Sequence, residues 1–350
     1  MYFKRSAFML ALAVGLSPLL LAVEPPARCN PAMILRMTPT GEFHEYRVSG
    51  QSGRENSIVS GPDGALWFTE WCGKIGRLAP SGGVMEYPMP AGRVPQAITV
   101  GPDGAIWFTE FGKIGRITTS GNISEFVLPA GHDAGPNIVS GSDGNLWFIS
   151  GQGHTVGRMT TSGAYTEYFV SHKKNQYGQL SENVVAITAG PDGALWLTGA
   201  AEATAHTPYV SSLIRMTTAG KVSKFRLPSG LLVPFSIAAG SDGALWFPAG
   251  GVGTISRSVF EKIGRMTTAG AYSEFTLPTG GLRPAAIFAS PGALWFTEYI
   301  PERGSSLTRQ IGRLTIDGNF TEFRLPPARN VTGVAMGTDG ALWLAAAPPD

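Results

Sequence analysis

Gly61-Pro62-Asp63-Gly64-Ala65-Leu66-Trp67-Phe68 reads as a turn running into a strand, and six further copies follow it, ending at Trp107, Trp147, Trp196, Trp246, Trp295 and Trp343. Pro presets φ, Asp bonds its own backbone and Gly accepts positive φ, so Pro-Asp-Gly reverses the chain. Ala-Leu-Trp-Phe is apolar without alternation, as a strand buried on both faces must be. Successive tryptophans lie 40, 40, 49, 50, 49 and 48 residues apart. A period of about 40–50 residues with four strands per unit marks a β-propeller. Seven copies predict seven blades, an all-β fold.

A complete unit runs through strand A (97–100), the Pro-Asp-Gly turn and strand B (105–109). Strand C (114–118), the turn Thr119-Ser120-Gly121 and strand D (123–128) complete it. The two ends of the chain are complementary. Ile34-Leu35-Arg36-Met37 and Phe43-His44-Glu45-Tyr46 match strands C and D, while 331–336 and 341–345 supply strands A and B. The last blade is therefore expected to close with two strands from each terminus, which removes open sheet edges.

The chain has 46 Gly, 26 Pro and 15% charged residues, which suits short strands and tight turns. A formal net charge of +2 supplies no basic field, so nucleic acid is not an expected partner. Lys4 and Arg5 precede an apolar run from Ala7 to about Ala22, broken by Glu24-Pro25-Pro26. That pattern predicts a secretory signal peptide over 1–23 and one propeller domain over 24–350. After cleavage the product is expected to be periplasmic or secreted, monomeric and without a membrane span. Cys29 and Cys72 each fall just before strand C, in the closing blade and its ring neighbour, and in an exported chain they are expected to form a disulfide.

The A–B and C–D turns keep their length, whereas the B–C and D–A connections vary. Long B–C inserts cover 199–212, 249–261 and 298–310, and a long D–A insert covers 170–183. Variable loops on a rigid scaffold carry function, so this face is the expected working face. Arg36, Arg77, Arg116, Arg158, Arg215, Arg265 and Arg313 recur in strand C of all seven blades. Sevenfold recurrence cannot mark one asymmetric site, so these arginines and the strand-B tryptophans are read as scaffold.

Candidate site residues lie where the repeats disagree. Strand B exits through Glu70-Trp71, Glu110-Phe111 and Glu298-Tyr299, while blades three, four, five and seven carry Ser150, Gly199, Ala249 and Ala346 instead. Blades six, one and two occupy one side of the ring, so a carboxylate–aromatic pocket at the channel mouth is expected. The bland alternative pairs each Glu with a strand-C lysine such as Lys74 or Lys113. His132, His154, His172 and His206 fall in connections of the variable face without metal-ligand spacing, and are read as solvated.

The phrases Gly-Pro-Asp-Gly-Ala-Leu-Trp-Phe-Thr-Glu, Lys-Ile-Gly-Arg-Ile-Thr-Thr-Ser-Gly and Glu-Phe-x-Leu-Pro closely resemble the streptogramin B (virginiamycin B) lyase family over nearly the whole mature chain. The resemblance implies a seven-bladed propeller that linearises cyclic depsipeptides by elimination across the ester. It implies a His base and a carboxylate-bound Mg²⁺ as electrophile. Those positions are not matched here. The Glu-Pro-His phrase of the last blade reads Asn330-Val331-Thr332, the preceding blade has Ala285 in the His slot, and the second metal-binding Glu is replaced at Ala346. In the other blades the His slot holds Asn56, Gln96, Pro136, Val185 and Phe235.

The leading expectation is a lyase-like propeller that binds a small or peptide-like ligand without the family reaction. Its expected contacts are Asn56, Glu70, Trp71, Gln96, Glu110, Phe111, Arg283, Glu298 and Tyr299. A lyase or hydrolase with a rebuilt acid–base set is the second reading, and a protein-interaction propeller is the third. No catalytic residue, metal or cofactor is assigned.

Overall fold

The Pro-Asp-Gly turns hold more than the reversal of the chain. In the computed structural model, Asp63 accepts hydrogen bonds from the Ala65 amide at 3.3 Å and Trp67 Nε1 at 3.1 Å. Its other oxygen takes Arg77 Nε at 2.8 Å, while Gly64 supplies the turn's positive φ of 73°. The same aspartate–tryptophan–arginine link recurs through Asp103–Arg116, Asp143–Arg158, Asp192–Arg215, Asp242–Arg265 and Asp339–Arg36. Burial alone raises each aspartate's pKa. The Trp and Arg hydrogen bonds outweigh it, so Asp63 and Asp103 sit below the ordinary carboxylate value. Six of the seven strand-C arginines thus tie strand C to the A–B turn, and in six blades, blade six included, the guanidinium lies 5.6–5.9 Å from the tryptophan ring centroid.

The described residues are 31–51, 57–90, 93–170, 182–201, 210–229, 231, 234–250, 262–278, 280, 282–299 and 308–347. They contain 27 strands in antiparallel four-stranded blades. Seven blades show 27 strands because Phe320–Met336 runs without a break from strand D of blade six into strand A of blade seven. Blade seven closes as its sequence predicts: Leu342–Ala347 pairs with Pro31–Met37, Arg36 facing Trp343, and Phe43–Gln51 is outermost. The inserts of blades four and six begin later than their sequence suggests, since Gly199–Ala201 still pairs with Val210–Ser212 and Tyr299 with Thr308. The signal segment and Cys29 lie outside the described residues, and no described helix is long and apolar enough to cross a membrane.

Blades pack through strand B, which is buried from end to end in Leu66–Glu70, Ile106–Glu110 and Leu146–Ser150. Alternation sends Trp67 into a cluster with Ile106 and Phe108 of blade two, and Phe68 into a cluster with Trp343 and Ala345 of blade seven. Trp67 stacks on Tyr87 of strand D at 5.6 Å. Tyr87 in turn lies against Gly121 of the next blade, where φ is 92° and an added Cβ would come within 2.3 Å of the ring. Each C–D turn glycine faces the preceding blade's aromatic: an added Cβ would come within 2.7 Å of the ring at Gly41, Gly121, Gly163, Gly220 and Gly270, and to 3.4 and 3.6 Å at Gly318 and Gly82.

Candidate functional site

The B–C and D–A connections meet as anticipated. Met89 N donates to Gly73 O at 2.8 Å and Leu128 N to Gly112 O at 3.0 Å, which brings each strand-D exit beside a B–C turn. The buried threonine before each glutamate knits the start of strand A to the end of strand B. Thr69 Oγ1 receives the Ser57 amide at 2.9 Å and donates to Gln96 O at 2.8 Å. Gln96 N reaches Thr109 O at 2.8 Å, so the main chain of Gln96 is a strut between blades one and two.

The glutamates themselves do not line an open mouth. Glu70, Glu110 and Glu298 are all 0% exposed. Each shares a strand face with the phenylalanine two residues earlier, and that face packs on the preceding blade. Glu70 therefore lies in the seam of blades seven and one, Glu110 in that of one and two, and Glu298 in that of five and six. Strand C leaves room for Glu70 by having glycine, since an added Cβ at Gly76 would meet Glu70 Oε1 at 2.8 Å. Three seams hold three carboxyls, and among the described residues no three His, Cys, Asp or Glu side chains gather to hold a metal ion.

Nor do the lysines neutralise them directly. Lys74 Nζ bonds Glu86 at 2.5 Å, and Lys113 bonds Glu125, both partners coming from strand D. Glu70 and Glu110 are left with no hydrogen-bond partner on either oxygen. Burial, reinforced by the Glu86 carboxylate and tempered by Lys74, pushes Glu70 up to about 7. Burial and Glu125 do the same for Glu110, against the pull of Arg93 and Lys113, again to about 7. In blade six burial and Glu322 lift Glu298 to about 7, and the Gln310 side chain draws it back. All three are weak acids with pKa values near neutrality, the range suited to proton transfer.

The residues following the glutamates face outward. Phe111 is 74% exposed on the B–C turn of blade two. Trp71 and Tyr299 occupy the same step in blades one and six and are half-buried. Arg283 opens strand A of blade six opposite Tyr299 and is also half-buried. Asn56 lies outside the described residues, as do His172 and His206.

One association escaped the sequence reading. His132 was expected to be solvated, yet its Nε2 lies 3.1 Å from Glu167 Oε2, and its Nδ1 lies 3.3 Å from the Ala130 carbonyl. Glu167 also accepts from Thr155 at 2.7 Å, Ser150 at 3.0 Å and Tyr165 at 3.1 Å. The cause is local. Strand D repeats a glutamate opposite the strand-C glycine, and blade three has Thr155 where blades one and two have lysine, so Glu167 takes its cation from the preceding D–A connection. Burial lowers the His132 pKa, but the Glu167 charge and hydrogen bond outweigh it and the net shift is upward.

At the positions where the resemblance implies base and metal ligands, strand A of blade six has half-buried Ala285 after Pro284. Strand A of blade seven has Thr332, whose hydroxyl donates to Ala345 O at 3.4 Å, and Ala346 is 1% exposed. A methyl, a backbone-bound hydroxyl and a second methyl offer neither a base near neutrality nor an anionic oxygen for Mg²⁺.

The Virginiamycin B lyase family matches residues 27–203 and 176–347. A solved streptogramin B lyase is 31% identical, covering 90% of this chain and 95% of its own, with a TM-score of 0.68. Virginiamycin B lyase from Staphylococcus aureus is 29% identical over 91% of this chain and 99% of its own, with a TM-score of 0.64. A catalytically inactive variant of the Staphylococcus aureus enzyme, solved with quinupristin, is 31% identical over 86% and 97%, with a TM-score of 0.65. No curated protein matches the chain.

Proposed function

Because this chain belongs to the virginiamycin B lyase family, we propose that it is an exported propeller that holds a small or peptide-like ligand on its B–C/D–A face without linearising it by the family's elimination. The observation that carries the binding half is the rim of aromatics after strand B. Phe111 stands 74% exposed, with half-buried Trp71 and Tyr299 at the equivalent steps of blades one and six. Rigid aromatic faces on a scaffold of this kind bind apolar rings at low entropic cost. A solved relative was captured with quinupristin, and this chain aligns with that relative over most of its length.

The loss of elimination rests on Ala285, Thr332 and Ala346. Removing a carbon-bound proton needs a positioned base, and holding the resulting enolate needs an electrophile. The residues at those positions fit neither role, and they do not fit Mg²⁺. A rebuilt acid–base set would draw on Glu70, Glu110 or Glu298, whose pKa near 7 suits the work. Their complete enclosure argues against it, because a general base must come within hydrogen-bond reach of the proton it takes.

Calorimetric titration of quinupristin into the purified protein tests the binding half. Saturable binding is expected, at least fivefold weaker for Phe111→Ala or Trp71→Ala. Absence of saturable heat, or affinity indifferent to both substitutions, would overturn it.

A further inference from the structure

Blade six breaks the rule that organises the opposite face of the ring. The other six blades place an aspartate in the A–B turn, and it neutralises the strand-C arginine. Blade six instead has Ser290-Pro291-Gly292 before Ala293, with no aspartate. Trp295 Nε1 turns to Ser290 Oγ at 3.2 Å. Arg313 faces Trp295 across the strand pair and lies 5.7 Å from its ring centroid. Among the described residues it forms no ion pair of the kind its six counterparts make. Asp317 on the adjacent C–D turn is exposed, and its carboxylate accepts from Asn319 Nδ2 at 2.9 Å.

The shorter turn opens a cavity of about 710 Å³ in the seam of blades six and seven. Its walls include Arg313, Trp295, Phe323, Met37, Met336 and Leu342. Trp295 is 6% exposed, where the tryptophans of blades one to five are 0% exposed, so the ring itself borders this space. The volume falls within the roughly 300–1,000 Å³ typical of small-molecule sites.

We propose that this cavity is a binding site for a small aryl carboxylic acid, its carboxylate taking the place of the aspartate that blade six lacks. The chemistry follows from the other blades. There the guanidinium meets a carboxylate while lying over an indole ring, so the arrangement left at Arg313 is complementary to the same group. Guanidinium–carboxylate pairs are charge-assisted and geometrically selective. The tryptophan, phenylalanine, methionine and leucine walls fit an apolar, ring-bearing body. This face carries the A–B and C–D turns, so the site is distinct from the B–C/D–A face and its occupation does not depend on the function proposed there.

Isothermal titration of the full-length mature protein at pH 7 with 1-naphthylacetate tests the assignment, with neutral 1-naphthylacetamide as comparison. One saturable site is expected, with the amide at least tenfold weaker and Arg313→Gln at least tenfold weaker for the acid. Replacing Ser290-Pro291-Gly292 by the Gly-Pro-Asp-Gly of blade one should also abolish binding, through an aspartate that claims Arg313, and raise the melting temperature. That graft keeps the test decisive should Arg313→Gln fold poorly. No saturable binding, an amide as tight as the acid, or a graft that binds like the parent would each overturn the proposal. A tenfold gain on Asp317→Asn would also overturn it, by showing that Asp317 already serves as the arginine's counterion.

Discussion

Replacing Glu110 by Gln should stabilise the protein at alkaline pH and leave it unchanged at acid pH. In the folded chain the carboxyl is fully enclosed and its pKa is lifted from 4.5 to about 7, chiefly by burial. A group whose folded pKa is raised keeps its proton longer in the native state than in the unfolded one. Stability therefore falls as pH climbs from about 4.5 to about 7 and levels off above. At 1.36 kcal/mol per unit this shift amounts to at most about 3 kcal/mol above pH 7. Gln is neutral in both states and nearly isosteric with the protonated acid, so the variant escapes that penalty. Urea or thermal unfolding of parent and variant at pH 4.5 and pH 8 should show coincident curves at the lower pH. At pH 8 the variant should melt higher, by on the order of 5 °C for a domain of this size. An equal shift at both pH values would show that Glu110 ionises freely, and the enclosed-acid reading would be refuted.

Other perturbations address the scaffold and the histidine. Gly121→Ala forces a Cβ against the Tyr87 ring at φ 92° and should cost about 3 kcal/mol or more, read by denaturant unfolding. His132 should titrate above 6.5 by NMR and fall to an ordinary value in Glu167→Gln. Because its folded pKa is raised, the stability it contributes is present below pH 6.5 and lost as pH rises through the folded pKa. His132→Gln should therefore weaken the protein at pH 5.5 and not at pH 9. Cys72 is disulfide-bonded, and with Cys29 proposed as its partner, unfolded unreduced protein should titrate no free thiol. Cys72→Ser should cost about 2–4 kcal/mol.

The architecture was legible because the repeat carries it redundantly: turn, buried strand and arginine recur in register, and the termini complement each other. The site was legible only by position. Glu70, Glu110 and Glu298 stand out where the blades disagree, but a strand buried on both faces gives no apolar–polar alternation to show which way a side chain points. Counting two residues back to Phe68, Phe108 and Phe296 assigns each glutamate to a seam, and that requires knowing which phenylalanine packs on which blade. The His132–Glu167 pair had a signal in Thr155, which breaks the lysine pattern of strand C, yet the partner comes from a connection whose conformation the sequence does not specify. The cavity between blades six and seven likewise had a signal in one absent aspartate, but its size depends on how blade seven packs across the gap.

The proposed loss of the lyase chemistry from a retained lyase scaffold is tested most directly by a mass-spectrometric time course of quinupristin incubated with excess protein and Mg²⁺ at neutral pH. An intact ring after many hours, with a bona fide lyase opening it in parallel, is the predicted result. Accumulation of the linearised product above the protein-free control, abolished when the protein is boiled, would contradict it.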